Sequence, residues 1–315
     1  MRLATSVVIP TRNRRATLVP LVERVVEQAA VLDAEIVVAD NGSTDGTADD
    51  VVRLGRETGG RVCHVVEPIP GATRNRNTAA RAARGDVLAF IDDDTLPHPG
   101  WLERIVAPFA DPRVACVGGR VALRFAAPPP RWWDGSLADF LSEYDRGPVP
   151  IDLGTRPWYD SPRGANMAIR REALLGVGGF NIRLGPRAGR PTVGEESDLC
   201  LRLLAAGWQV RYEPTSVVDH LVDPARLDPA WLYRRAFWNG WSEAIIALAH
   251  RPLRKTLGLV RWYYRARALR LPYRPRGEPD ALRIRRECER REALGYVLGV
   301  LRHAPVRGRL VLTAS

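Results

Sequence analysis

The chain has 315 residues, 45% of them hydrophobic, enough for one large core or for one domain with an appendage. Its net charge of +11 is regional: from Trp231 onward there are 19 Lys+Arg and six Asp+Glu, against 28 and 30 in the rest. The four scattered cysteines without a C-x-x-C pair, the missing secretory leader and the lack of any apolar run near the ~20 residues of a bilayer span argue against a disulfide scaffold, a zinc site and a membrane-spanning protein, so the cytoplasm is the expected location.

The first part alternates in period. Residues 5–10 (TSVVIP) read as a buried strand, and 14–30 carry Leu18, Leu21, Val22, Val25 and Val26 at helical spacing. A strand at 35–40 (EIVVAD), a helix at 45–57 and a strand at 61–66 follow. Next come a helix at 72–84, a strand at 86–91 (DVLAFI), a helix at 101–109 and a strand at 114–118. Continuous apolar strands alternating with helices predict an α/β fold, a mainly parallel Rossmann-like sheet flanked by helices. From residue 122 to 163 the pattern stops in a stretch rich in Pro, Trp and Gly. It resumes with a strand at 164–170, a short helix at 171–176, a helix at 195–206 and two strands, 210–213 and 216–220. Residues 183–194, full of Gly, Pro and Arg, predict a mobile loop. Asp228-Pro229 opens a final helical segment, a cap followed by proline at the first helical position.

Parallel sheets bind ligands beyond the carboxyl ends of their strands. Polar groups stand at three such ends: residues 11–14 (TRNR), 40–46 (DNGSTDG) and the triplet Asp92-Asp93-Asp94. In extended geometry Asp92 and Asp94 point the same way, and hard oxygens of this kind suit Mg²⁺ or Mn²⁺ with substrate phosphates completing the shell. A solvated turn is the plainer alternative, but three adjacent carboxylates repel one another unless a cation sits there.

The stretches VVIPTRNR, EIVVADNGSTDGT, GATRNRN, FIDDDT, GANMAIR, GVGGF, GEESDL and VVDH stand in order between positions 7 and 220. Together they resemble the family 2 glycosyltransferases of the GT-A fold, over about two thirds of the chain. That resemblance implies transfer of a sugar from a nucleoside diphosphate sugar, a UDP-sugar favoured, to a hydroxyl-bearing acceptor with inversion. It implies a divalent cation, Mn²⁺ or Mg²⁺, on Asp92 and Asp94, with His220 as a further ligand. Pro10, Thr11, Arg14, Asp40, Arg74 and Asp93 then fall on the donor side. Gly164, Ala165, Asn166 and Asp198 fall beside the donor sugar or acceptor. Glu196 takes the place of the general base, with Glu195 beside it as the alternative, because the family's usual Glu-Asp is here Glu-Glu. Asp40 can equally open a turn, Arg74 can be a helix-face charge, and both glutamates suit the first turn of a helix.

Arg187 and Arg190, in the glycine-rich loop, are candidates to close over the diphosphate. Trp132, Trp133, Trp158 and Tyr159 either stack on sugars or pack. The resemblance divides the chain into a catalytic domain, 1–222 (donor half 1–121, acceptor half 122–222), and a basic helical extension, 223–315. The extension reads either as a cap with a solvated arginine face or as a peripheral contact with an anionic membrane at its inner face, which would suit a lipid-linked acceptor. Nucleic acid fits poorly, since no recognised nucleic-acid fold appears. A sugar nucleotidyltransferase normally shows a glycine-rich loop after the first strand, and PTRNRR has none. A non-catalytic nucleotide- or carbohydrate-binding protein of the same fold is the third reading, against which Asp92, Asp94 and Glu196 stand intact.

Overall fold

The computed structural model describes residues 3–155, 160–187, 189–263 and 280–304. Trp158 and Tyr159 lie outside the described residues, as does part of the basic segment. The elements run β1 (Thr5–Thr11), α1 (Arg15–Leu32), β2 (Glu35–Asp40), α2 (Thr47–Glu57), β3 (Val62–Val66), α3 (Ala72–Ala82), β4 (Val87–Ile91), β5 (Thr95–Pro97), α4 (Trp101–Val106) and β6 (Val114–Phe125). They continue with β7 (Ile151–Asp152), β8 (Asn166–Arg170), α5 (Arg171–Gly176), the ribbon β9 (Pro186–Arg187) and β10 (Arg190–Pro191), α6 (Glu195–Ala205), β11 (Gln209–Val222), α7 (Pro229–His250), α8 (Leu253–Tyr263) and α9 (Ala281–His303).

The expected α/β sheet forms. Its strand order is β3-β2-β1-β4-β8-β6-β11-β5, with β7 also on β11. The first four strands are mutually parallel, and so are β6 and β11. Three strands depart from the parallel pattern: β8 runs antiparallel between β4 and β6, and β5 and β7 each pair antiparallel with β11. Buried strands explain the continuous apolar runs: every residue of VLAFI in β4 is buried. Phe90 meets Phe180 edge to face at 5.5 Å, and each such fully buried side chain contributes about 1.5–3 kcal/mol of transfer free energy.

Two strands differ from expectation. β6 does not stop at Gly118 but runs on to Phe125, because β11 stays beside it in parallel register. The two late strands are one, β11, with a register jump between Glu213 and Val217. Pro214 falls in that jump, where its missing N–H breaks no ladder bond. The stretch expected as a mobile loop contains the two-stranded ribbon β9–β10.

Contacts divide the chain into two compact units. The first comprises Met1–Pro129, Leu137–Arg190 and Glu195–Pro224 and holds the sheet. The second comprises Pro130–Ser136, Pro191–Gly194 and Ala225–Ser315. In the second unit Asp228 caps α7, its carboxylate accepting from the Ala230 amide at 2.8 Å, as its sequence predicts. α7 and α9 approach so closely that a Cβ added at Gly240 would lie 1.8 Å from the Glu292 carbonyl oxygen, and one at Gly295 1.9 Å from that of Phe237. Trp132 and Trp133 meet edge to face at 5.8 Å. Among the described residues no helix is long and apolar enough to cross a membrane.

Candidate active site

Parallel pairing brings the ends of β1, β2 and β4 to one edge of the sheet. Thr11 and Asp40 stand there in register, and Asp92-Asp93-Asp94 follow Ile91. Because β8 is antiparallel, its first residue Asn166 lies opposite Ile91, so the preceding Gly164 and Ala165 reach the same edge. β11 adds His220, opposite Thr95, the residue after the triplet.

The loops at this edge are latched by side chains. Asp40 is buried; one of its oxygens accepts from the Ser43 amide at 2.8 Å, and the other lies 3.5 Å from His64 Nε2. The asx-type turn expected of DNGS is therefore present. Asn41 donates to the carbonyls of Glu67 (2.7 Å) and Ile69 (2.9 Å) and accepts from the Gly71 amide (2.7 Å), fixing the entry to α3. Pro10 is half-buried, Arg14 is exposed, and Arg74 is half-buried near the Glu67 carboxylate.

Each member of the triplet has its own partner. Thr11 Oγ1 donates to Asp93 at 2.7 Å. Burial pushes the Asp93 carboxyl up to about 7; the Thr11 bond opposes this, and the charges of Asp94 and Asp92 add to it. Asp94 lies 3.3 Å from His220 Nε2. Asp92 lies 2.9 Å from Arg76 NH2. Of the three expected metal ligands, then, the structure brings Asp94 and His220 together and turns Asp92 to a guanidinium. Among the described residues no three His, Cys, Asp or Glu side chains converge as a ready-made metal cage. The pair still fits a Mn²⁺- or Mg²⁺-type ion. Neighbouring ligands about 2.1 Å from an octahedral ion stand about 3 Å apart, and a carboxylate oxygen with an imidazole nitrogen is a donor set that substrate oxygens can complete.

Arg76 is the centre of the arrangement. Its side chain is 6% exposed, and NH1 lies 2.8 Å from Glu195 and 3.3 Å from Glu196 while NH2 holds Asp92. Burial opposes the charge of Arg76, but Asp92, Glu196 and Glu195 outweigh burial and raise its pKa. The Gly164 amide donates to the same Glu196 oxygen, Oε1, at 3.2 Å. A Cβ at Gly164 would fall 2.4 Å from that oxygen and 2.5 Å from Arg76 NH2, so only glycine leaves room for the pair.

A family model described as glycosyl transferase family 2 matches residues 6–176. The chain belongs to that family. It is 32% identical over 253 residues to the pre-mycofactocin glycosyltransferase of Mycobacterium tuberculosis, a match covering 78% of this chain and 48% of that one. It is 28% identical over 191 residues to the glucosyl-dolichyl phosphate glucuronosyltransferase of Haloferax volcanii, covering 60% of each. The chain thus spans about half the length of the mycobacterial relative and 60% of the haloarchaeal one. Among solved structures it resembles the mannosyltransferase PcManGT of Pyrobaculum calidifontis in complex with GDP-Man and Mn²⁺ (TM-score 0.56, 21% identity, 97% of this chain and 77% of that one). It also resembles GalNAc-T7 with UDP, GalNAc and Mn²⁺ (TM-score 0.61, 17% identity, 96% and 58%). At these identities the structures establish a shared GT-A fold.

Within this family 2 chain some sequence-nominated residues serve the framework. Asn166 is fully buried; it accepts from Trp101 Nε1 (2.8 Å) and donates to the carbonyls of Arg120 and Ser216 (2.9 Å each), so its amide faces inward. Asp198 is buried against Arg202 Nε at 2.9 Å, one helical turn along α6, and braces that helix. Ala165 is buried, and Arg187 and Arg190 are exposed on the ribbon. The residue that sequence reasoning missed is Arg76. In GATRNRN the family resemblance singles out Arg74, but the helical period puts Arg74 and Arg76 on different faces, and Arg76 is the one on the buried face of α3.

Proposed function

We propose that this chain is an inverting glycosyltransferase in which Glu196 is the general base. The observation carrying this reading is the shared guanidinium: Asp92, from the acidic strand end, and Glu196, from the first turn of α6, both contact Arg76. A base and a diphosphate-binding edge therefore lie one side chain apart, as a single displacement at an anomeric carbon requires.

The donor nucleotide lies over the ends of β1 and β2, where Pro10, Thr11 and Asp40 form the base pocket. Arg14 and Arg74 supply positive charge to the donor's phosphates, and Arg187 and Arg190 close over them from the ribbon. Asp94 and His220 would hold a divalent cation, with Asp92 and Asp93 adding negative field. Such an ion supplies Lewis-acid neutralisation of the charge that builds on the leaving diphosphate. Burial is the main cause of the raised Asp93 carboxyl, and the added repulsion from Asp94 and Asp92 is what such an ion would offset. Gly164 and Ala165 let the sugar approach the backbone. Glu196 takes the proton of the acceptor hydroxyl as its oxygen attacks the anomeric carbon from the face opposite the diphosphate.

A UDP-sugar is the favoured donor; the structural neighbours hold GDP-mannose in one case and UDP in the other. The acceptor is a hydroxyl-bearing molecule, and a lipid-linked one agrees with the basic extension and with the dolichyl phosphate in the name of the haloarchaeal relative. In this reading residues 1–222 form the catalytic domain, with a donor half to 121, and 223–315 a basic helical extension, either a cap with a solvated arginine face or a peripheral contact with the inner face of an anionic membrane. The location is cytoplasmic.

The test is thermal stability against UDP, GDP, dTDP and CDP, each with and without Mn²⁺, on wild type and Asp94→Ala, followed by donor turnover in Glu196→Gln. A manganese-dependent shift for one nucleotide that disappears in Asp94→Ala, with turnover abolished in Glu196→Gln, is the expected result. Full turnover in Glu196→Gln would remove the base assignment.

A further inference from the structure

Glu195 and Glu196 are adjacent, both contact Arg76, and sequence alone does not choose between them. The structure distinguishes them sharply. The Glu195 side chain is 4% exposed and lies 2.8 Å from Arg76 NH1; the Glu196 side chain is 16% exposed and lies 3.3 Å from the same atom. Asp92, 30% exposed, takes the other nitrogen at 2.9 Å. The guanidinium is thus gripped at one end by a buried glutamate and at the other by the first residue of the acidic triplet. Its hold on Glu196 is the longer contact, and Glu196 is the more accessible of the two glutamates.

We propose that Arg76 is a positioning residue: anchored by Glu195 and Asp92, it fixes the Glu196 carboxylate through Oε1 and so ties the aim of the base to the donor-binding edge. This rests on the reading that Glu196 is the base. Both donors that reach Glu196, Arg76 NH1 and the Gly164 amide, fall on Oε1. Among the described residues no hydrogen bond is made to Oε2, so that oxygen is the one presented to an acceptor hydroxyl. Two donors on one oxygen fix the rotation of the carboxylate while its other lone pairs stay available. Only a planar fork reaches carboxylates on two sides at once, which an ammonium point charge cannot reproduce. Glu195 is then an anchor for Arg76 and not an alternative base.

Gly164 provides a test that keeps every charge in place. Alanine there would push its Cβ into Glu196 Oε1 and Arg76 NH2, both ends of flexible side chains, and Gly164 is not among the residues with positive φ. The fold should absorb the methyl, while the pair should not keep its geometry.

The experiment measures kcat and donor KM, the Kd of the nucleoside diphosphate by calorimetry, and Tm. It uses the full chain as wild type, Gly164→Ala, Arg76→Lys, Arg76→Gln, Glu195→Gln and Glu196→Gln. A misaimed base costs on the order of 100-fold in kcat. Gly164→Ala should show such a loss with wild-type Tm and with nucleotide Kd changed less than about threefold. Arg76→Lys should recover part of what Arg76→Gln loses, and Glu195→Gln should follow Arg76→Gln in direction. If the Arg76 variants do not fold, Glu195→Gln, which removes an anchor of Arg76 and adds no atom beside the donor sugar, decides together with Gly164→Ala. A Gly164→Ala protein with wild-type kcat, or one losing kcat and nucleotide affinity in equal measure, overturns the positioning role even where Glu196→Gln is dead. An active Glu196→Gln protein overturns the base assignment and this inference with it.

Discussion

At the carboxyl edge of the sheet three carboxylates converge on one buried guanidinium, while along α7 and α9 two glycines set bare backbone against bare backbone. The first arrangement concentrates like charge at a place where burial penalises it, and it holds only because Arg76 stands among the acids. The second has backbone atoms at its closest approach and is stabilised by packing that tolerates no added volume. Regions built so differently should fail differently. A change at the edge that leaves Arg76 in place should appear in turnover or ligand binding and spare the melting temperature. A change between the helices should appear in the melting temperature first.

The largest separation is expected for Glu196→Gln. Removing a general base costs about 10²- to 10⁴-fold in kcat. The amide keeps an oxygen to accept from the Gly164 amide, so Tm should stay close to wild type. Steady-state kinetics beside a thermal melt checks this, and a matching collapse of Tm would erase the contrast. Asp94→Ala comes next. A ligand at about 100 times its Kd stabilises by about 2.7 kcal/mol, and the manganese-dependent part of that shift should vanish when the Asp94–His220 pair is broken. A shift retained in full would move the ion away from Asp94. On the other side of the comparison, Gly295→Ala adds a methyl where the nearest atom is the Phe237 carbonyl, which cannot swing aside. Overpacking of this kind costs about 1–3 kcal/mol. Denaturant unfolding should show it, with the nucleotide Kd of the folded protein unchanged.

The two regions also differ in how far they could be read from sequence. At the edge, strand periodicity located β1, β2 and β4, and the polar residues after each strand announced themselves because apolar runs end abruptly there. What sequence did not supply was the direction of β8. Gly164-Arg170 has the same apolar character whether it runs parallel or antiparallel, and its antiparallel course is what delivers Gly164 to the edge where Glu196 and Arg76 meet. Nor did it supply Arg76, because an arginine on a polar-looking helix is indistinguishable from a surface charge until three acids from distant segments surround it. Asn166 was misleading for a related reason: a polar residue in a motif suggests a ligand contact, yet its partners Trp101, Arg120 and Ser216 come from elements that only the folded sheet assembles. In the helices almost nothing was legible. Gly240 and Gly295 resemble ordinary helix glycines, and only the 1.8 and 1.9 Å approaches give them a purpose.

The smallest effect is expected from a carboxylate that belongs to the same sheet but not to its functional edge. Glu35, at the start of β2, accepts from Ser6 Oγ and the Arg84 amide at 2.6 Å each and from Arg84 Nε at 2.7 Å; Ser6 Oγ in turn accepts from the Gly85 amide. Burial works to raise its pKa, but the Ser6, Arg84 amide and Arg84 guanidinium contacts outweigh it and hold the carboxyl below its usual value. A carboxylate lowered on folding contributes stability above its unfolded pKa of about 4.3 and loses that contribution as pH falls through the lower folded value. Glu35→Gln should therefore cost about 0.5–1 kcal/mol at pH 7 after allowance for solvent screening of the exposed Arg84 partner. The difference from wild type should shrink as pH falls below about 4, and kcat at pH 7 should be untouched. Urea unfolding of both proteins across that range measures it. A gap that persists unchanged at low pH would mean that Glu35 acts through shape and not charge. A loss of kcat would mean that this end of the sheet is coupled to the Arg76 cluster, and the division between edge and framework would have to be redrawn within the sheet itself.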